Sequence, residues 1–145
     1  MTMQEPNLQP TSCRENWDYP PEDPVTPLEA KRRDLVTRYE RFLQQEQGHE
    51  VTGYLITSHG RSLPVEIFDL TARELVVTAA TTARVEGPAG VWYAIGALLD
   101  LASFFPPGTG KVLLLPGQPS DDLSELCAAQ RIVPAWQSSD SFART

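Results

Sequence analysis

The stretch EIFDLTARELVVTAA, residues 66–80, decides the fold of this chain. Its two ends are rich in apolar and β-branched residues, which favour strands, and the DLTAR between them is typical of a turn. An extended segment at residues 49–57 joins the first of these strands through SHGRS, whose glycine and short length suit a hairpin. We therefore predict a meander of three consecutive strands at residues 49–57, 63–68 and 74–80.

An amphipathic helix is predicted before the meander. Within residues 28–47, Leu35, Tyr39 and Leu43 recur at the spacing of one helix face, and Gly48 follows as a typical helix end. The opposite face is rich in basic side chains interleaved with acids, which is the usual pattern of a solvated helix face. The sequence thus predicts that this helix packs one side against the sheet.

The elements predicted after the meander alternate between helix and strand. Residues 91–105 are apolar around most of the helix circumference, which predicts a helix buried against the sheet, and KVLLL at 111–115 is typical of a strand covered on both faces. Ser120 caps a third helix, and a last strand runs near Trp136. The order α-β-β-β-α-β-α-β predicts an α/β (α+β) fold with a mixed central sheet flanked by helices.

The chain divides into one domain with a tail at each end. Residues 1–27 hold six of the 13 prolines and few aliphatic residues, so we predict a disordered tail there. The domain is predicted to span 28–140, followed by a short C-terminal tail at 141–145. Trp17 and Tyr19, between acids and prolines in the first tail, suit either a docking peptide or an arm that lies on its own domain.

Composition sets the expectations for compartment and partners. The net charge is −7, so the bulk electrostatics do not attract nucleic acid or an acidic membrane. Cys13 and Cys127 are too distant in sequence to suggest a zinc site or a disulfide framework. The sequence contains no apolar run long enough to cross a bilayer and no pattern of a secretory signal, and we therefore predict a cytoplasmic protein without a membrane partner.

Acidic side chains around the second turn of the meander are the first candidates for chemistry. Glu66, Asp69 and Glu74 could converge and hold a divalent metal through oxygen ligands. The alternative interpretation is that these acidic side chains only solvate the turn. His49 and His59 fall at a helix exit and in a turn, and neither has a nucleophile beside it in the pattern of a catalytic pair.

Basic side chains provide the second candidate site. They would contact phosphates if the chain bound nucleic acid, and most of them lie on the first helix, where a solvated face is the competing interpretation. This predicted nucleic-acid-binding set comprises Arg32, Arg33, Arg38, Arg41, Arg61 and Arg84.

Five parts of the sequence together carry a family resemblance. They are RYERFLQQEQGHEV (38–51), EIFDLTARELVVTA (66–79), VWYAIGALLDLASF (91–104), KVLLLPGQPSDDLSELCAAQRI (111–132) and the terminal Trp136. These phrases resemble the restriction endonuclease-like PD-(D/E)XK nuclease superfamily, in particular small actinobacterial domains of that type. The resemblance covers residues 28–137 and implies the family's αβββαβ core. This core agrees with the order predicted above, in which an additional αβ follows at the C-terminus.

The resemblance also implies a degenerate active site. In the family, an acid ending the second strand and a D/E-x-K pair on the third strand bind Mg²⁺ and position a water. The first acid matches Glu66 or Asp69, whereas the other two positions match Val77 and Ala79. A polar Q-x-x-x-Y signature in the following helix matches Ala97 and Leu101, and the helix-one acid matches Glu29.

The implied function is that of a pseudo-nuclease. We expect a non-catalytic module without a cofactor, which binds a protein partner, forms a homo-oligomer or works within a nucleic-acid-processing or defence complex. Nucleic-acid binding without cleavage is the alternative. An active Mg²⁺-dependent endonuclease with relocated ligands is the third possibility, and it would use Glu66, Asp69 and Glu74.

Overall fold

The computed structural model describes residues 7–11, 27–79 and 88–145. Seven strands and three α-helices lie in these residues, and a π-helical segment, Phe42–Glu46, extends the first helix. The elements are β1 (Asn7–Thr11), α1 (Pro27–Arg41), β2 (Val51–Ser58), β3 (Arg61–Asp69), β4 (Glu74–Thr78), α2 (Pro88–Ala102), β5 (Gly110–Leu115), α3 (Asp121–Ala129), β6 (Ile132–Ser138) and β7 (Ser141–Arg144).

All seven strands form one mixed sheet in which they lie side by side in chain order. The pairs β1–β2, β2–β3 and β3–β4 are antiparallel, β4–β5 and β5–β6 are parallel, and β6–β7 is antiparallel. Helices α2 and α3 are the crossovers that two consecutive parallel pairs require. The predicted mixed α/β class is confirmed, and the predicted order of elements is the one observed from α1 to β6.

Helices cover both faces of the sheet. On one face α1 packs against side chains such as Val112 and Leu114, and on the other α2 packs against Leu113 and Leu115. Because side chains alternate along a strand, β5 contributes to both cores, as KVLLL predicts. Complete burial of each such aliphatic side chain contributes roughly 1.5–3 kcal/mol. None of the helices in the described ranges has the length and apolar character needed to span a membrane.

Gly48 ends the first helical region as predicted. It has φ +67°, and beyond it the His49 N–H donates to the Leu43 carbonyl at 2.8 Å. This bond joins residues six apart and closes the end of the π-helical segment, with Gly48 in the left-handed region where glycine has no steric penalty. The chain therefore turns sharply from α1 into β2.

The two predicted tails require correction where the structure describes them. Residues Asn7–Thr11 pair with β2, so an edge strand lies within the segment predicted to be a disordered tail, and the rest of 1–26 falls outside the described residues. The segment 141–145, predicted to be a short tail, contains β7. Aromatic packing explains the order of β7, because the centroid of the Phe142 ring lies 5.0 Å from that of Tyr39 and 5.4 Å from that of Phe42.

Candidate functional site

Strands β3 and β4 pair along only part of their length. Their register joins Asp69 to Glu74, Phe68 to Leu75 and Ile67 to Val76. Beyond this point β3 continues beside β2, and β4 continues beside β5 until the Ala79 N–H donates to the Leu114 carbonyl at 3.0 Å. The sheet therefore opens between β3 and β4 at the carboxyl end of β4.

A β-bulge lies at the start of this opening. Thr52 pairs with Phe68 and Tyr54 with Val65, so two steps along β2 match three along β3, and the additional residue falls at Glu66 or Ile67. Val65 belongs to the core under α2, whereas Ile67 belongs to the core under α1, although residues two apart in a regular strand share a face. The bulge thus directs the Glu66 side chain toward α1, in line with the tendency of bulges to re-aim side chains.

The opening forms a groove of about 630 Å³, which we call the β3–β4 groove. Strands β3 and β4 form its sides and α2 covers it. The described residues that line it are Arg61, Leu63, Pro64, Val65, Glu66, Val76, Val77, Thr78, Trp92, Tyr93, Gly96, Ala97, Asp100 and Leu101. Most of these side chains are apolar.

Four of the positions that the resemblance singled out meet in this groove. Glu66, Val77, Ala97 and Leu101 line it together, although they lie on three different elements. Ala79 does not line it, because its side chain is buried in the core under α2. The apolar replacements therefore divide between the wall of the groove and the interior.

Glu66 is held by an arginine of α1. The Arg32 guanidinium donates to both carboxylate oxygens of Glu66 and also to Glu29, through Nε at 2.9 Å and Nη2 at 2.8 Å. The hydrogen bond from Arg32 is the main reason why the pKa of Glu29 is lowered. Burial acts against the charge of Arg32, but its bonds to Glu29 and Glu66 outweigh this effect and raise the pKa of the guanidinium. One partly buried cation thus binds two of the carboxylates that the resemblance singles out, the helix-one acid Glu29 and the strand acid Glu66.

The other two acids of the predicted metal site have partners of their own. Asp69 is 1% exposed, and its Oδ2 lies 2.6 Å from His49 Nδ1, while its Oδ1 accepts the Ala72 N–H at 2.9 Å. Glu74 binds both Nη atoms of Arg144, at 3.0 and 2.6 Å. Asp69 and Glu74 lie opposite each other on β3 and β4, but each is bound by its own partner, and Glu66 is held by Arg32. No group of three or more His, Cys, Asp or Glu side chains in the described part of the chain is arranged to hold a metal ion.

Three of the five described basic side chains predicted to contact phosphates form ion pairs. Besides Arg32, Arg33 contacts Glu29 at 3.2 Å and Arg38 contacts Asp34 at 2.9 Å. These pairs have the helical i,i+4 spacing and lie on α1, as the interleaved charges predict. Arg41 and Arg61 are exposed, and Arg61 lines the β3–β4 groove. Arg84 lies outside the described residues, as do Trp17 and Tyr19 of the predicted docking peptide.

Sequence reasoning missed the aromatic side chains at the mouth of the groove. Trp92 is 60% exposed and Tyr93 is 83% exposed, and both line the groove from α2. The prediction that α2 is buried is wrong for this side, because one side of the helix packs on the sheet and its opposite side, with Leu99, faces outward. The sequence signal for this outward side is the i, i+4, i+7 spacing of Trp92, Gly96 and Leu99, which places these three residues along one side of the helix.

Comparison with known proteins adds no relative. No family model, curated protein or solved structure matches the chain. The relation to the PD-(D/E)XK nucleases therefore stays a prediction from the sequence.

Proposed function

We propose that this chain is a cytoplasmic, non-catalytic module with a restriction endonuclease-like core, and that it binds a protein partner through the β3–β4 groove. The observation that carries the proposal is the groove itself, which lies at the carboxyl end of β4 under exposed Trp92 and Tyr93. Open α/β sheets commonly bind ligands at the carboxyl ends of their strands. Tryptophan and tyrosine are also among the residues that contribute most to protein–protein affinity.

Several contacts argue against hydrolysis with a metal ion. Such a reaction needs carboxylates that are available to hold Mg²⁺ and a group that activates water. In the β3–β4 groove Glu66 is bound by Arg32, and Val77 and Ala97 have no metal-binding atoms. Lys111 lies near the start of β5, away from the carboxyl end of β4 where the groove is, and its amine donates to the Gln130 carbonyl at 2.9 Å. We therefore expect no magnesium cofactor.

The charge of the groove favours a protein over a nucleic acid. Among the described residues that line it, Arg61 is the single basic side chain, and Glu66 and Asp100 are acidic. Binding to a phosphate backbone draws its affinity from several Lys or Arg contacts and the release of counterions. One arginine beside two acids, in a chain of net charge −7, does not supply these contacts.

A nuclease assay tests the absence of catalysis. The full chain is incubated with supercoiled plasmid, single-stranded DNA or RNA in the presence of Mg²⁺ or Mn²⁺, beside the Glu66→Gln variant as the matched control. We expect both proteins to leave the substrates intact and to give no electrophoretic shift at low salt. Metal-dependent cleavage that is lost in Glu66→Gln would contradict the proposal, and a salt-sensitive shift that needs Arg61 would favour the alternative of nucleic-acid binding.

Partner binding is tested separately with exposed groove residues. Lysate of the source cells is passed over immobilised wild-type chain, Trp92→Ala and Leu99→Ala, and native mass spectrometry follows the complexes. Leu99 is the matched control, because it is exposed on the same helix but does not line the groove. We expect a partner to be retained by the wild type and Leu99→Ala and lost by Trp92→Ala. A partner retained equally by all three proteins would place its binding elsewhere.

A further inference from the structure

The sides of the β3–β4 groove are strand edges. Along 61–66, β3 pairs with β2 on one side, and its register with β4 begins only at Ile67. Across the groove, Val77 and Thr78 pair with β5 on their other side. Within the described residues, both strands therefore direct backbone N–H and C=O groups that have no strand partner toward the groove.

Pro64 agrees with this unpaired edge. It lies within β3, lines the groove and is exposed. A proline has no N–H to donate, so within sheets it is found on edges and at bulges. Its position in the third of seven strands is compatible with the sheet because, among the described residues, no strand pairs with 61–66 on this side of β3.

We propose that the β3–β4 groove takes an extended peptide from the partner, which adds as a strand to the free edge of β3. The inference rests on the proposed function and specifies the partner's chemistry. Backbone groups are the natural complement of a free strand edge, and β-strand addition is an established mode of peptide recognition. Six residues, 61–66, offer roughly 20 Å of edge at about 3.3 Å per residue.

The side chains of the groove narrow the class of peptide further. Its walls are largely apolar, so alternate positions of the bound strand would be apolar, with one side chain packed under Trp92. The exposed charges are opposite in sign, Arg61 on β3 and Asp100 on α2. This pair complements a peptide that carries one acidic and one basic residue, whereas a polyanion would be attracted by Arg61 and repelled by Asp100.

Peptide selection on the full chain provides the test. A phage library of random twelve-residue peptides is selected on the immobilised protein, and the enriched peptides are synthesised with normal backbones and with N-methyl groups at alternate amides. We expect alternating apolar residues in the enriched peptides and at least about tenfold weaker binding after N-methylation, because the side chains are kept and the backbone hydrogen bonds are lost.

Hydrogen exchange and variants locate the bound peptide. We expect slower amide exchange in 61–66 and 77–78 with peptide bound, and weaker binding to Trp92→Ala than to Leu99→Ala. Ala97→Trp, which fills the groove, serves as a second variant and is compared at matched native circular dichroism. Peptides that need Trp92 but tolerate N-methylation would overturn strand addition while leaving protein binding by the groove intact.

Three other outcomes would contradict the location of the peptide, the proposed function or the class of molecule bound. Exchange protection at Ser141–Arg144 instead of 61–66 would assign the peptide to the β7 edge. A library that yields no peptide dependent on Trp92 would overturn both strand addition and the proposed function. A single-stranded oligonucleotide that displaces every selected peptide from the groove would replace the peptide with a nucleic acid as its occupant.

Discussion

Arg32 ties α1 to β3, and its removal has a calculable consequence. Arg32→Ala leaves the Glu29 and Glu66 carboxylates without the guanidinium that binds both of them. Breaking a fully buried ion pair costs about 3–5 kcal/mol, and a hydrogen bond to a charged group contributes about 1.5–3 kcal/mol. The side chains of Arg32 and Glu66 are 15% and 17% exposed, so their ion pair is not fully buried. We therefore expect a cost below that of a fully buried pair and close to that of a charged hydrogen bond. The free energy of unfolding should fall by about 2–3 kcal/mol at pH 7.

The size of this loss depends on pH in a defined direction. The pKa of Glu29 lies below its ordinary value of 4.5 in the folded protein, mainly because Arg32 donates to it. The unfolded chain therefore binds this proton more tightly than the folded chain does. The stabilisation is complete above the unfolded pKa and is lost as the pH falls through the folded pKa. The difference between the wild type and Arg32→Ala should therefore be larger at pH 7 than at pH 3.

Urea unfolding followed by circular dichroism measures both effects. The control is Arg38→Ala, whose partner Asp34 is on the same helix and whose ion pair is 54% and 61% exposed. Exposed pairs contribute about 0–1 kcal/mol, so the control should unfold close to the wild type. An Arg32→Ala variant as stable as the wild type at pH 7, or one whose loss is the same at pH 3, would refute the reasoning.

Three further predictions concern the core and the last strand. Leu113→Ala should lower the free energy of unfolding by about 2–5 kcal/mol, because Leu113 is fully buried. Leu99 is exposed, so Leu99→Ala should change this free energy by less than about 0.5 kcal/mol. Equal urea midpoints for the two variants would contradict the packing. His49→Ala should cost about 1–3 kcal/mol by removing a partner of buried Asp69, and an unchanged thermal midpoint would be inconsistent with that contact. Phe142→Ala should expose the Ser141–Arg144 amides to faster hydrogen exchange, whereas unchanged protection would show that β7 does not depend on the Phe142 ring.

Local patterns made most of the fold predictable. The meander and the buried β5 follow from short apolar segments punctuated by turns, and Gly48 marks the end of the first helical region through its left-handed backbone. Strand β1 carries no such signal, because NLQPT has one aliphatic residue and a proline, and its strand conformation depends on pairing with β2, which lies beyond α1 in the chain. Strand β7 likewise depends on packing of Phe142 against α1.

The candidate site was predictable only in part. The resemblance placed Glu66, Val77, Ala97 and Leu101 in one site, and these residues line one groove. The partner of Glu66 was not predictable, because Arg32 is 34 residues away and the contact depends on a bulge that shifts the side chain toward α1. Charge patterning assigned Arg32 to a solvated helix face. Periodicity shows which side of a helix can be buried, but it does not show which cation a folded strand will meet.

The arrangement of the sheet in chain order has a consequence for how the protein folds. From β3 to β7 each strand pairs with the strand before it, so each of these pairings closes a short loop or a single helical crossover. Small loops cost little entropy to close, and topologies with local pairings fold faster than those with distant ones. Strand β1 is the exception, since its pairing with β2 must span the whole of α1. We therefore expect the six later strands to assemble in one rapid phase, with the N-terminal strand docking onto β2 last.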